Sequence, residues 1–131
     1  MSRILVVEDD LDTQLLLQQY LTRNGYEVVC ASNGWEALVT LDGEPFDLIV
    51  LDIMLPGLDG AKFLSILRGY VRKGLTLPVV VVTALEQHEA AERLRPNEPE
   101  AVVEKRGGEF LTRMLERIRQ LLPPAETVAA S

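Results

Sequence analysis

Short runs of consecutive apolar residues recur along the chain, and each is followed by a stretch in which apolar residues fall three or four apart. "RILVV" (Arg3 to Val7) precedes "DDLDTQLLLQQYLTRNGY", which begins with acids able to cap a helix and closes on the stop signal Asn24-Gly25. The alternation continues through "YEVVCA" and "NGWEALVTL", "DLIVLD" and "AKFLSILRGYVRKG", "LPVVVVTA" and "EQHEAAERLR", and "AVVEK" and "EFLTRMLERIRQLL". Strand and helix therefore alternate throughout. The central strands are unbroken Val, Ile and Leu runs, the pattern of a parallel sheet covered on both faces. This predicts an α/β fold: a doubly wound, five-stranded parallel sheet of order 2-1-3-4-5 with helices on both faces.

Composition narrows the reading. A chain of 131 residues with 47% hydrophobic content supplies one core, so residues 1–122 are expected to form a single domain. The Pro- and Ala-rich residues 123–131 are expected to be a flexible tail. The net charge of −7, with no basic stripe, argues against direct nucleic-acid binding. Cys30 is the only cysteine, which excludes a disulfide framework and makes it buried filler. No basic-then-apolar leader opens the chain, and no apolar run approaches the roughly 20 residues that span a bilayer. The expectation is a cytoplasmic protein that does not engage membranes.

The chemistry lies at the strand ends. "DLIVLDIMLPGLDG" delivers a carboxylate, Asp52, to the end of a buried run, where a lone charge would cost several kcal/mol or be neutralised. In a sheet of this order ligands bind beyond the carboxyl ends of the strands, at the reversal between the first and third strands. The first strand ends in Glu8, Asp9 and Asp10, so one crevice collects several acids. Such an oxygen cluster suits Mg2+, with Mn2+ as the alternative, and would repel a bare phosphate. The fourth strand ends in Thr83 and the fifth in Lys105, adding a hydroxyl donor and a cation. Together these residues have the logic of phosphoryl transfer to a carboxylate. Asp52 attacks, a metal on Glu8, Asp9 and Asp52 holds one phosphoryl oxygen, and Thr83 and Lys105 take the others.

With those residues in place, the sequence resembles the receiver domain of two-component response regulators from about Ile4 to about Leu122. "ILVVEDD", "ASNGWEAL", "DLIVLDIMLPGLDG", "VVTA" and the isolated Lys105 occur in that family's order. The resemblance implies that Asp52 is the phosphoacceptor. It also implies that Glu8, Asp9, the Asp52 side chain and the Met54 backbone carbonyl hold Mg2+, and that Thr83 and Lys105 sense the phosphoryl group. A histidine kinase or histidine phosphotransfer protein would be the donor, and an unidentified downstream protein the receiver of the signal. The chain would then be a phosphoryl-accepting switch rather than a turnover enzyme. A pseudo-receiver, a constitutive interaction module on the same fold, is the alternative.

Departures from the family pattern bear on output. Val102 stands where the family commonly has Tyr or Phe, and Arg106 where it usually has Pro after the lysine. Pro96 and Pro99 predict a short or irregular fourth helix. Met54 and Leu85, both apolar, flank Asp52 and Thr83 and point to a long-lived phosphorylated state. His88 has no second ligand nearby and is assigned no function. Asp10 and Asp12 read as cap residues, Trp35 as packed against the fold in preference to being presented to a partner, and the apolar residues of the last helix as core, with an exposed apolar stripe for a partner as the alternative.

Overall fold

The structure, a computed structural model, describes residues 1–69 and 77–123. Five strands, β1 (Arg3–Val7), β2 (Glu27–Ala31), β3 (Leu48–Leu51), β4 (Val79–Thr83) and β5 (Ala101–Glu104), alternate with five helices. The helices are α1 (Leu11–Arg23), α2 (Gly34–Gly43), α3 (Gly60–Gly69), α4 (Gln87–Leu94) and α5 (Phe110–Leu121). All pairings are parallel and the order is β2-β1-β3-β4-β5, as the apolar runs predict. The third helix was expected to run to Gly74; the part beyond Gly69, like residues 124–131 of the expected tail, lies outside the described residues.

Successive strand residues point to opposite faces, so each unbroken apolar run feeds two cores at once. Leu5, Val7, Ile49, Leu51, Val79 and Val81 meet Ala37, Leu41, Phe63, Leu64, Leu67, Ala90 and Leu94 on the α2–α3–α4 side. Ile4, Val6, Leu48, Val50, Val80 and Val82 meet Leu17, Leu21, Met114, Leu115 and Ile118 on the α1–α5 side. The apolar residues of the last helix are core, as expected. Cys30 is only half-buried, because β2 is an edge strand with one face incompletely covered.

Caps set the phase of the helices. Asp10 accepts from Thr13 N at 2.9 Å and from the Thr13 hydroxyl at 2.6 Å. Asn33 accepts from Glu36 N at 2.8 Å, while Glu36 accepts from Ser32 N, one residue before the cap, at 2.7 Å, and the two bonds clasp the start of α2. That phase turns Ala37 and Leu41 inward and leaves Trp35 59% exposed, which corrects the expectation that Trp35 packs. Gly34 takes the inward place: a Cβ there would lie 2.9 Å from Leu58 Cδ2. Helix α4 is short, as its prolines predict, and regular. It stops at Leu94 because Arg95, before Pro96, adopts extended backbone (ψ 147°).

The loop from β3 to α3 turns sharply through Gly57 (φ +72°) and folds back until Gly60 N donates to Ile53 O at 2.8 Å. A Cβ on Gly60 would lie 2.5 Å from Ile53 Cα and 2.8 Å from Asp52 O, both backbone atoms that cannot swing aside. Gly60→Ala is therefore expected to lower stability by about 1–3 kcal/mol, measured as a fall in the urea midpoint without a change in slope. An unchanged midpoint would show that this loop has slack.

Candidate functional site

The fold brings the ends of β1, β3, β4 and β5 to one edge. The sheet ladder holds their backbones: Glu8 N donates to Ala31 O at 3.0 Å, Asp52 N to Val7 O at 3.1 Å, and Lys105 N to Thr83 O at 2.7 Å. Among the described residues only three polar side chains are buried: Glu8 (2% exposed), Asp52 (8%) and Thr83 (0%). All three lie at this edge, whereas Asp9 is exposed at its rim.

Lys105 reaches across the edge. Its Nζ donates to Glu8 Oε1 at 2.9 Å and to Asp52 Oδ2 at 3.4 Å. Burial pushes the Glu8 carboxyl above its ordinary value, with the bond from Lys105 opposing the shift. Burial by itself would pull the Lys105 ammonium down, but Glu8 and Asp52 outweigh it and hold the ammonium above its ordinary value. The remaining lone pairs are partly met locally. Asp52 Oδ1 accepts from Met54 N at 3.1 Å, and Glu8 Oε2 accepts from Asp10 N at 3.1 Å. Thr83 Oγ1 accepts from Leu85 N at 3.2 Å, a bond that leaves the hydroxyl's own proton uncommitted.

Carboxylate oxygens of Glu8, Asp9 and Asp52 all lie within 4.8 Å of one another. With all three ionised, one lysine offsets one of three charges, and a deficit of two remains. A divalent cation with a preference for oxygen ligands fits that donor set in both charge and chemistry.

Each residue singled out in the sequence can now be placed. Glu8, Asp9, Asp52 and Lys105 converge, and Thr83 stands at the end of the neighbouring strand. The Met54 amide is tied to Asp52, while its side chain is half-exposed at the rim. His88 is a surface residue 3.6 Å from Glu86. Two other residues at the site carry no strong signal in the sequence. Gln14 Nε2 donates to Glu8 O at 2.9 Å and so steadies the acidic turn; its place one turn into α1 was the available signal. Arg93 reaches Met54 from α4, across 39 residues of sequence, and no local pattern could have shown that. Arg93, Met54, Asp9, Asp59 and Pro56 line a cleft of about 460 Å³ beside the acids.

Comparison with known proteins agrees with this geometry. Residues 4–119 match the family model of the response regulator receiver domain. The chain is 45% identical over 86 residues to the alkaline phosphatase synthesis transcriptional regulatory protein PhoP of Bacillus subtilis, covering 66% of this chain and 35% of that protein. It is 35% identical over 121 residues to the sensor histidine kinase GacS of Pseudomonas protegens, covering 91% of this chain and 12% of that one. The chain thus spans a minor part of these relatives. Among solved structures, the response regulator TrrA of Thermotoga maritima in complex with Mg(2+)-BeF superposes with a TM-score of 0.80 at 30% identity, covering 93% of this chain and 100% of that one.

The lysine bridge predicts a measurable coupling. In metal-free, chelating buffer Lys105→Met is expected to lower stability by about 1–3 kcal/mol, since it leaves buried acid without its cation. Glu8→Gln should then cost less in the Lys105→Met background than in the wild type. Equal costs in both backgrounds, read from urea unfolding, would show that the bridge does not couple the two residues.

Proposed function

Because the chain belongs to the response regulator receiver domain family, we propose that it is a phosphoryl-accepting switch of a two-component phosphorelay, with Asp52 as the acceptor. The observation that carries this reading is the set of Glu8, Asp9 and Asp52 with a single bridging lysine, a charge imbalance that a structural module would have no reason to retain. Receiver domains act as signalling switches, and no turnover of an external substrate is proposed.

In the proposed reaction one Asp52 carboxylate oxygen attacks the phosphorus of a phosphohistidine on a histidine kinase or histidine phosphotransfer protein. The phosphorus–nitrogen bond breaks with its electron pair returning to the imidazole. Asp52 is held for attack by its strand-end backbone bond and by the Met54 amide. The Thr83 hydroxyl donates to one phosphoryl oxygen and the Lys105 ammonium pairs with another, exchanging its present contact with Asp52 for one with the transferred group. Glu8, Asp9, Asp52 and the Met54 carbonyl are the residues that would hold Mg2+ or Mn2+, whose contribution when bound is to offset charge on the phosphoryl oxygens.

No described helix is long and apolar enough to cross a membrane, and we place the protein in the cytoplasm, beside a cytoplasmic phosphodonor. Output is by contact with a downstream protein and not by direct nucleic-acid binding, in keeping with the net charge of −7. Two residues beyond Asp52 and Thr83 stand the half-exposed Met54 and the half-buried Leu85, apolar side chains that offer no group to guide a water, and so support a long-lived phosphorylated state.

Incubation with a small acyl-phosphate donor, followed by intact mass measurement, should show a Mg2+-dependent gain of one phosphoryl group that is absent in Asp52→Asn. No gain would shift the reading to the constitutive interaction module. The product should outlast seconds at neutral pH; decay within seconds would refute the long lifetime. Mg2+ should also raise the melting temperature of the unphosphorylated protein, by about 2.7 kcal/mol of added stability at a hundredfold excess over the dissociation constant. Asp9→Ala should lose most of that gain, and retention of it would remove Asp9 from the metal site.

A further inference from the structure

Arg93 lies in the last turn of α4, and it touches the rim of the Asp52 site through a single side chain. Its Nη1 donates to Met54 Sδ at 3.4 Å, and its Nη2 lies 3.8 Å from Glu89 Oε2 one turn earlier. Both Arg93 and Met54 line the cleft of about 460 Å³ that also includes Asp9. Met54 in turn is bound through its amide to Asp52 Oδ1 at 3.1 Å. A methionine has three rotatable bonds and a soft, polarisable sulfur, so a half-exposed one sweeps a wide volume unless something holds it. The guanidinium is planar and carries its donors in a fixed fork, which makes it a suitable holder of a weak acceptor.

We propose that Arg93 is a positioning residue that holds the Met54 side chain at the mouth of the Asp52 site and thereby slows hydrolysis of the aspartyl phosphate. The inference rests on Asp52 being the phosphoacceptor. In hydrolysis a water oxygen forms a bond to phosphorus, and the bond from phosphorus to the Asp52 oxygen breaks with its electron pair returning to the carboxylate. Inorganic phosphate leaves with the protons of the water. Met54 stands between Asp52, to which its amide is bonded, and the cleft it shares with Asp9 and Arg93, so a water that approaches from that cleft passes its side chain. A thioether fixed there removes standing room for that water, whereas a free one leaves it vacant for part of the time. Arg93 acts through Met54 and is given no contact with the phosphoryl group.

The test compares first-order loss of the phosphoryl group in wild type, Arg93→Ala, Arg93→Lys, Met54→Ala and the double alanine variant. Phosphoprotein is made with a small acyl phosphate, separated from the donor and followed by intact mass, with melting curves recorded for each protein. Arg93→Ala is expected to shorten the lifetime about three- to tenfold, the rate equivalent of one hydrogen bond, at unchanged melting temperature. Met54→Ala should shorten it at least as much, and the double variant should decay like Met54→Ala alone. Arg93→Lys keeps a donor and should decay more slowly than Arg93→Ala. An unchanged lifetime in Arg93→Ala overturns the proposal. So does an effect of Arg93→Ala that persists in full without Met54, or equal decay of the Lys and Ala variants. A wild type that gains no phosphoryl group at all overturns the phosphoacceptor reading itself, so the two failures are distinguishable.

Discussion

The arrangement of this protein depends on one electrostatic constraint: acidic groups brought to the edge of a buried parallel sheet with a single lysine among them. Glu8 and Asp52 are nearly sealed from solvent, and Lys105 Nζ sits between them at 2.9 and 3.4 Å. Burial disfavours the charged form of the Glu8 carboxyl, and it would do the same to the Lys105 ammonium were Glu8 and Asp52 not beside it. Such a site is stable enough to fold yet electrostatically incomplete. Its deficit of negative-charge compensation fits a divalent cation, and in the proposed reaction the same lysine is the group that follows a phosphoryl oxygen.

The remainder of the fold holds that edge still. Period-two alternation in β1, β3 and β4 fills both cores with one set of strands, so none of the three can slide without turning its residues to the wrong face. The register that pairs Val7 with Leu51 therefore also fixes Glu8 beside Asp52. Gly60, pressed against Ile53 and Asp52 backbone, fixes the loop that carries Met54. Stability and chemistry are linked through this shared register, because the packing that orders the strands is what forces acids of like charge together.

On the α4–β5 side the chain uses polar ties where the receiver family commonly has an aromatic residue. Val102 presents only a small side chain, and its carbonyl accepts from Gln87 Nε2 at 3.1 Å. Glu104 Oε2 accepts from Gln87 N at 3.0 Å, capping a helix that Glu86 leaves without a side-chain cap. Arg106, standing where the family usually has proline, lies 3.5 Å from Glu86 and 3.6 Å from Glu104. The exposed ion pairs contribute little individually, so the cap is the substantial element of this set. It joins the start of α4 to β5, the strand that leads into Lys105.

The alternation of apolar runs with helical periods was sufficient for the α/β class and the strand-end position of Glu8, Asp9, Asp52, Thr83 and Lys105, because side-chain period and parallel connection are local consequences of the chain, and the strand order followed from the arrangement common to doubly wound sheets. The same locality explains the cap at Asp10 and the short α4 before Pro96. Trp35 was misplaced because its direction depends on the phase that Asn33 and Glu36 impose and on Gly34 lying against Leu58, a contact between distant segments. Gln14 on Glu8, Glu104 on Gln87 and Arg93 on Met54 were equally hidden. Each is a side chain meeting a partner from another element, at a distance set by how helices and loops pack over the sheet. The sequence alone decided which chemical groups stand at the end of each strand, since a strand delivers its last residue wherever the sheet ends. Only the tertiary structure decided which side chains close over them, since that depends on packing between elements that no local spacing records.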